Sequence, residues 1–230
     1  MLPLLVLLAQ LAGAPAAQDV ADRQRTDALV RGFERTLREM RESNSRTAAT
    51  KRGLVADVEV FAKAARWALR YETDGRPSDL ARIEKALSRC VDRLPEISAE
   101  VAPSWAAKRG RLVRGYVSSV DGSVQPYGLV IPKNYNPDKP IRLDVVLHGS
   151  TKPQGASELT FIERFDDGDS DSKLLVDQPF VELHPLGRVE NCYRWAGETD
   201  VFEAIDDVCR KYNIDRDRIV LRGMSMGASG

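Results

Sequence analysis

The sequence predicts an α/β protein in which a small all-helical module precedes a sheet that ends in a serine-bearing turn. Three observations carry this. From about residue 21 to residue 94, apolar residues recur at helical spacing. After Pro103 the period shortens to that of strands. The last dozen residues then run from an apolar strand, Ile219-Val220-Leu221, straight into Gly223-Met224-Ser225-Met226-Gly227.

Residues 1–17 are an apolar run followed by small residues, too short to span a bilayer and ending near an Ala14-Pro15-Ala16 site. This is the layout of a secretory signal peptide. It predicts a secreted or periplasmic protein with its mature terminus near Ala17 or Gln18. No Lys or Arg precedes the apolar core, so the positive charge there is only the amino terminus, and an uncleaved anchor is the alternative. Nothing later is apolar for long enough to span a bilayer, so no stable membrane insertion is expected after signal removal. The chain has 34 basic and 34 acidic residues, none of them in the first 17. An electrically neutral chain offers no electrostatic basis for binding nucleic acid or an anionic membrane. Its 230 residues suit one medium domain and a smaller element. Cys90, Cys192 and Cys209 leave two states open, one disulfide with a spare thiol or three buried free thiols. Their spacing matches no metal knuckle, and Cys209 falls within a helical pattern as a core residue.

The helical module is expected over residues 18–100. Leu29, Phe33, Leu37 and Met40 form one stripe, Leu54, Val58, Phe61, Ala65 and Ala68 a second, and Leu80, Ile83, Leu87 and Leu94 a third. Ser43-Asn44-Ser45 and Thr73-Asp74-Gly75 separate them. Pro77-Ser78-Asp79 opens the third helix, and Pro95 is expected to stop it. The many Arg of the first helix form a solvated face, and no chemistry of the module's own is visible.

Residues 101–230 carry the sheet. Residues 112–118 and 127–131 read as strands joined by the turn Val120-Asp121-Gly122-Ser123. After a Pro-rich loop, residues 143–147 form a buried strand ending in His148-Gly149-Ser150. Residues 180–183 form another, ending in His184-Pro185. A helix over residues 200–212 follows, with Val201, Ile205, Val208 and Tyr212 on one face and Asp200 capping its start. The strand 219–221 is then buried and parallel. Hairpin, strand, loop, strand, helix, strand and serine turn is the order of the amino-terminal half of an α/β-hydrolase sheet.

Gly223-Met224-Ser225-Met226-Gly227 fits the G-x-S-x-G pattern, a sharp strand-to-helix turn whose flanking residues must be small because a side chain there would strike the packed strand or helix. With Leu143-Asp144-Val145-Val146-Leu147-His148-Gly149, Asp200-Val201-Phe202-Glu203-Ala204-Ile205 and Tyr212-Asn213-Ile214-Asp215, the segment 114–230 resembles the prolyl oligopeptidase family of serine peptidases and its esterase-like relatives. The resemblance covers about half the chain. The best-known members carry a β-propeller before the hydrolase domain, where this chain has helices.

The resemblance implies Ser225 as the nucleophile that attacks an ester or amide carbonyl to give an acyl-enzyme. The oxyanion would then be held by the backbone N–H of Met226 and one from the turn after the 143–147 strand, assigned to Ser150. In this fold the acid and then the base follow the nucleophile in the chain, so His148 and His184 are read as turn-fixing residues. The sequence stops five residues after Ser225, so the hydrolase domain is expected to be incomplete and the chain as given inactive. Asp166-Asp167-Gly168-Asp169-Ser170-Asp171 imitates a calcium loop. It lacks the glycine after the third acid and has Gln178 in place of the closing Glu, so it reads as a solvated loop. Trp195 is either a pocket wall or a packed loop aromatic. The resulting expectation is an exported serine hydrolase for a small-molecule or peptide substrate, with no cofactor and no metal. The alternatives are a carbohydrate-ester or polyester esterase, and a non-catalytic binding module on the same fold.

Overall fold

The computed structural model describes residues 17–42, 46–73, 77–98, 101–150 and 157–230. All of the expected signal peptide except Ala17 lies outside the described residues, as do Ser43-Asn44-Ser45 and Asp74-Gly75 of the two helix breaks.

Among the described residues three helices come first, α1 (Ala17–Glu42), α2 (Arg46–Trp67) and α3 (Pro77–Ser98). Each apolar stripe is buried over most of its length, with Phe33, Leu37, Val58, Phe61 and Ile83 inaccessible to solvent. Helix α3 does not stop at Pro95 but runs on to Ser98. A proline this near the end costs one donor in the last turn, and other contacts hold that turn. Ile97 is buried, and the Glu96 carboxylate accepts the Ser104 N–H at 2.6 Å and its hydroxyl at 3.0 Å. Helix α2 continues as a π-helical turn, Ala68–Glu72.

Among the described residues the sheet has five strands, β1 (Gly110–Val117), β2 (Val124–Ile131), β3 (Ile141–Leu147), β4 (Phe180–Pro185) and β5 (Ile214–Gly223), in the order β1-β2-β4-β3-β5. The predicted hairpin is present, with Val117 opposite Val124 and Gly122 at φ 71° in the turn. Strand β2 pairs antiparallel with β4, while β4, β3 and β5 are mutually parallel. The parallel strands therefore end together, at Leu147, Pro185 and Gly223.

Other expectations change as well. A helix, α4 (Ser157–Phe165), lies between β3 and β4, burying Leu159, Phe161, Ile162 and Phe165. The next helix, α5 (Ala196–Lys211), begins before Asp200, so Asp200 is no cap. It sits buried within the helix, and its carboxylate accepts the Gly187 N–H at 2.8 Å and the Tyr116 hydroxyl. Strand β5 is parallel as expected but longer, and it is not buried: Leu221 is 61% exposed. Among the described residues β5 pairs with β3 alone, and an apolar run is covered only where a neighbour lies on it.

The module is joined to the sheet by buried charge. Helix α2 packs on β1 and β2, so closely that a Cβ on Gly115 would lie 2.5 Å from the Ala56 carbonyl oxygen. There the fully buried Asp57 accepts the Arg114 guanidinium at 2.7 Å, the Gly115 N–H at 2.9 Å, the Trp105 indole N–H at 3.0 Å and Lys211 Nζ at 3.4 Å. A second set of ion pairs replaces the expected solvated loop. Arg89 pairs with Asp166 at 3.0 Å, the fully buried Arg93 with Asp169 at 2.7 Å, and Lys108 with Asp167. Asp171 accepts the Arg109 N–H at 2.6 Å. The carboxylates that imitate a calcium loop are thus taken up by cations and a backbone donor.

Candidate active site

Strands β3 and β5 end in register, Leu147 opposite Gly223, and the Met224 N–H then donates to the Leu147 carbonyl at 3.4 Å. The chain must turn at once into the short helix α6 (Met226–Ser229). It does so through Ser225, which holds φ 54° and ψ −118°, a conformation that residues with a Cβ rarely adopt and that costs about 1–3 kcal/mol. The surroundings leave no alternative. A Cβ on Gly223 would lie 2.1 Å from the Gly227 carbonyl oxygen, and one on Gly227 would lie 2.2 Å from that of Leu147. The Met226 side chain is buried and anchors the turn, while Ser225 remains exposed at the carboxyl edge of the sheet. We expect Gly227→Ala to destabilise the protein by about 1–3 kcal/mol or more in urea unfolding, because the obstacle is backbone and cannot swing away. An unchanged midpoint would show that the turn is looser than this geometry.

The strand order β1-β2-β4-β3-β5, with β2 antiparallel to β4 and the last three strands parallel, is the one expected for the amino-terminal half of an α/β-hydrolase sheet.

The turn after β3 lies against this elbow. A Cβ on Gly149 would lie 3.3 Å from the Ser225 Cβ, and Ser150 follows at the surface. The Gly227 N–H donates to the Met224 carbonyl at 3.0 Å and the Ala228 N–H to that of Ser225 at 2.9 Å. Met226, at the first helical position, has no carbonyl of its own helix to receive its N–H.

Both histidines are engaged elsewhere. His148 Nδ1 lies 2.9 Å from the Gly149 carbonyl oxygen and Nε2 2.9 Å from that of Leu186, and its backbone N–H donates to the Tyr193 hydroxyl at 2.7 Å. His184 Nε2 lies 3.1 Å from Glu182, and its ring packs on Phe165 with centroids 4.7 Å apart. The hydrogen bond from His184 and the nearby Arg222 hold the Glu182 carboxyl below its ordinary range, against the opposing effect of its partial burial. Among the described residues neither imidazole hydrogen-bonds the Ser225 hydroxyl.

Sequence reasoning picks out Trp195 in the loop between β4 and α5 but not the backbone of that loop. Trp195, 79% exposed, precedes α5 at φ 54° and ψ −119°, nearly the backbone of Ser225 before α6. It is also followed two residues later by a glycine, Gly197, as Ser225 is by Gly227. A cavity of about 550 Å³ opens at the same edge of the sheet, between α1, α2, the β1–β2 turn and the residues after β4, with Trp67, Tyr71 and Glu72 among its walls. All three cysteines are free. Cys90 is fully buried, which pushes its thiol up to about 12, while Cys192 and Cys209 are partly exposed.

No family model and no curated protein matches the chain. Among solved structures it is similar to a thermostable esterase, at 25% identity and a TM-score of 0.35, over 52% of this chain and 36% of that one. It is similar to a CE1 ferulic acid esterase from Anaeromyces mucronatus at 17% identity and a TM-score of 0.37, over 51% and 49%. A third is fluorophosphonate-binding serine hydrolase F of Staphylococcus aureus, at 20% identity and a TM-score of 0.35, over 53% and 49%. The chain spans half or less of the length of these structures.

Proposed function

We propose that the chain carries the nucleophile of a serine hydrolase, with Ser225 attacking an ester or peptide carbonyl to form an acyl-enzyme. One observation carries this reading. An exposed serine is held at φ 54° and ψ −118° where a parallel strand meets a helix, between two glycines at which no Cβ fits. Such strain persists only where surrounding structure enforces it, and its effect here is to present a hydroxyl at the edge of the sheet. The Met226 N–H and one from the turn bearing Gly149 and Ser150 would receive the oxyanion, each such donor contributing about 3–4 kcal/mol to lowering the barrier. The engagement of His148 and His184 elsewhere supports a general base and orienting acid that follow the nucleophile in the chain, as in the prolyl oligopeptidase-type peptidases and esterases it resembles. Labelling of Ser225 by a fluorophosphonate in the full-length enzyme tests the assignment.

Export belongs to the same reading. Mass spectrometry of protein recovered outside the cytoplasm is expected to find an amino terminus near Ala17 or Gln18, and an intact Met1 on that protein would refute the cleaved signal.

A further inference from the structure

The loop after β4 holds an unusual concentration of strain. Arg188, Val189, Cys192, Tyr193 and Trp195 have φ of 58°, 71°, 56°, 53° and 54°, and none is glycine. A left-handed backbone is unfavourable for residues with a Cβ, and for β-branched Val above all, so contacts from outside must enforce it. They do. The Gly187 N–H donates to Asp200 at 2.8 Å, and Arg188 reaches Asp121 and the Ser118 hydroxyl, each at 2.9 Å. The buried Tyr193 ring lies so close over Gly187 that a Cβ there would sit 2.3 Å from it.

What this effort places is the Tyr193 hydroxyl, 2.7 Å from the His148 backbone nitrogen. Past Leu147, strand β3 has left its ladder with β5, and the next N–H finds its acceptor in a side chain. The His148 ring returns the contact, with Nε2 2.9 Å from the Leu186 carbonyl oxygen and its plane edge-on to Tyr193 at 5.5 Å. Two anchors, one from each loop, thus fix the turn whose next residue, Gly149, lies against Ser225.

We infer that Tyr193 is a positioning residue for the oxyanion turn, holding the His148 N–H so that the backbone of residues 149–150 stays set for the developing charge. The inference rests on the reading of Ser225 as nucleophile and of this turn as oxyanion donor. Donors aimed at charge that appears only in the transition state leave ground-state binding untouched when they drift. Losing the latch therefore lowers kcat and spares KM.

Tyr193→Phe in the full-length enzyme is the test, because Phe keeps the ring over Gly187 and removes only the acceptor. The expected result is a kcat lower by about tenfold to a hundredfold, with KM within about twofold. Fluorophosphonate labelling of Ser225 should slow in parallel, and the His148 amide should exchange about tenfold faster. Wild-type protein that does not label at Ser225 overturns the nucleophile reading and this inference with it. Labelled wild type with Tyr193→Phe equal to it in kcat, or with unchanged exchange at His148, overturns this inference alone. A loss confined to KM does the same.

Discussion

Ser225→Ala is expected to abolish fluorophosphonate labelling and to lower turnover in the full-length enzyme on the order of 10⁶-fold, the loss typical of a removed nucleophile. The protein should still fold, because alanine keeps the Cβ that the turn already accommodates and removes only an exposed hydroxyl. Equal melting temperatures for variant and wild type would confirm that the loss is chemical. Turnover that persists within about tenfold of wild type would refute the assignment, since the groups that bind the substrate cannot supply that rate without the nucleophile. The outcome also separates the hydrolase from a binding module on the same fold, which would neither label nor lose activity.

The elbow was legible because its requirement is local and steric. Gly223 and Gly227 stand where the turn leaves no room for a Cβ, and the strand before them is written in Ile219-Val220-Leu221. The hairpin was legible for the same reason, since Asp121-Gly122 supplies the turn geometry in two residues. Helix α4 is missed although Leu159, Ile162 and Phe165 lie at helical spacing, because nine residues give that stripe too few repeats to stand out from a connecting loop. Periodicity shows which face of an element is apolar but not whether anything covers it, and β5 is the result. The ion pairs were beyond reach for a different reason. Asp57 meets Arg114 and Lys211 across separations of 57 and 154 residues, and nothing near residue 57 distinguishes that carboxylate from those on a solvated helix face. The strained loop at residues 188–195 is illegible in kind, because its positive φ values fall on ordinary residues and are imposed by distant partners.

Those buried pairs carry the second large effect. Asp57 is fully buried with Arg114, itself almost inaccessible, and Lys211 beside it. Desolvation alone would raise its carboxyl, but the charges of Arg114 and Lys211, with hydrogen bonds from Arg114 and the Gly115 N–H, hold it well below the ordinary range. Removing one member of such a cluster leaves the others charged and buried, so Asp57→Ala should cost about 3–5 kcal/mol in denaturant unfolding. Asp57→Asn keeps the volume and an acceptor for the Trp105 indole but loses the charge, and it allows a cleaner test against pH. The folded pKa of Asp57 lies below its unfolded value of about 3.9, so its stabilisation is fully present above that pH. It is lost as the pH falls towards the folded value, because the unfolded chain then binds the proton first. The stability gap between wild type and Asp57→Asn should therefore be constant from about pH 7 to pH 5 and shrink below about pH 4, by up to about 1.4 kcal/mol per pH unit. The other carboxylates titrate in both proteins and cancel in the difference. A gap that stays constant down to pH 3 would mean that Asp57 joins the helices to the sheet by shape and hydrogen bonds, without the charge.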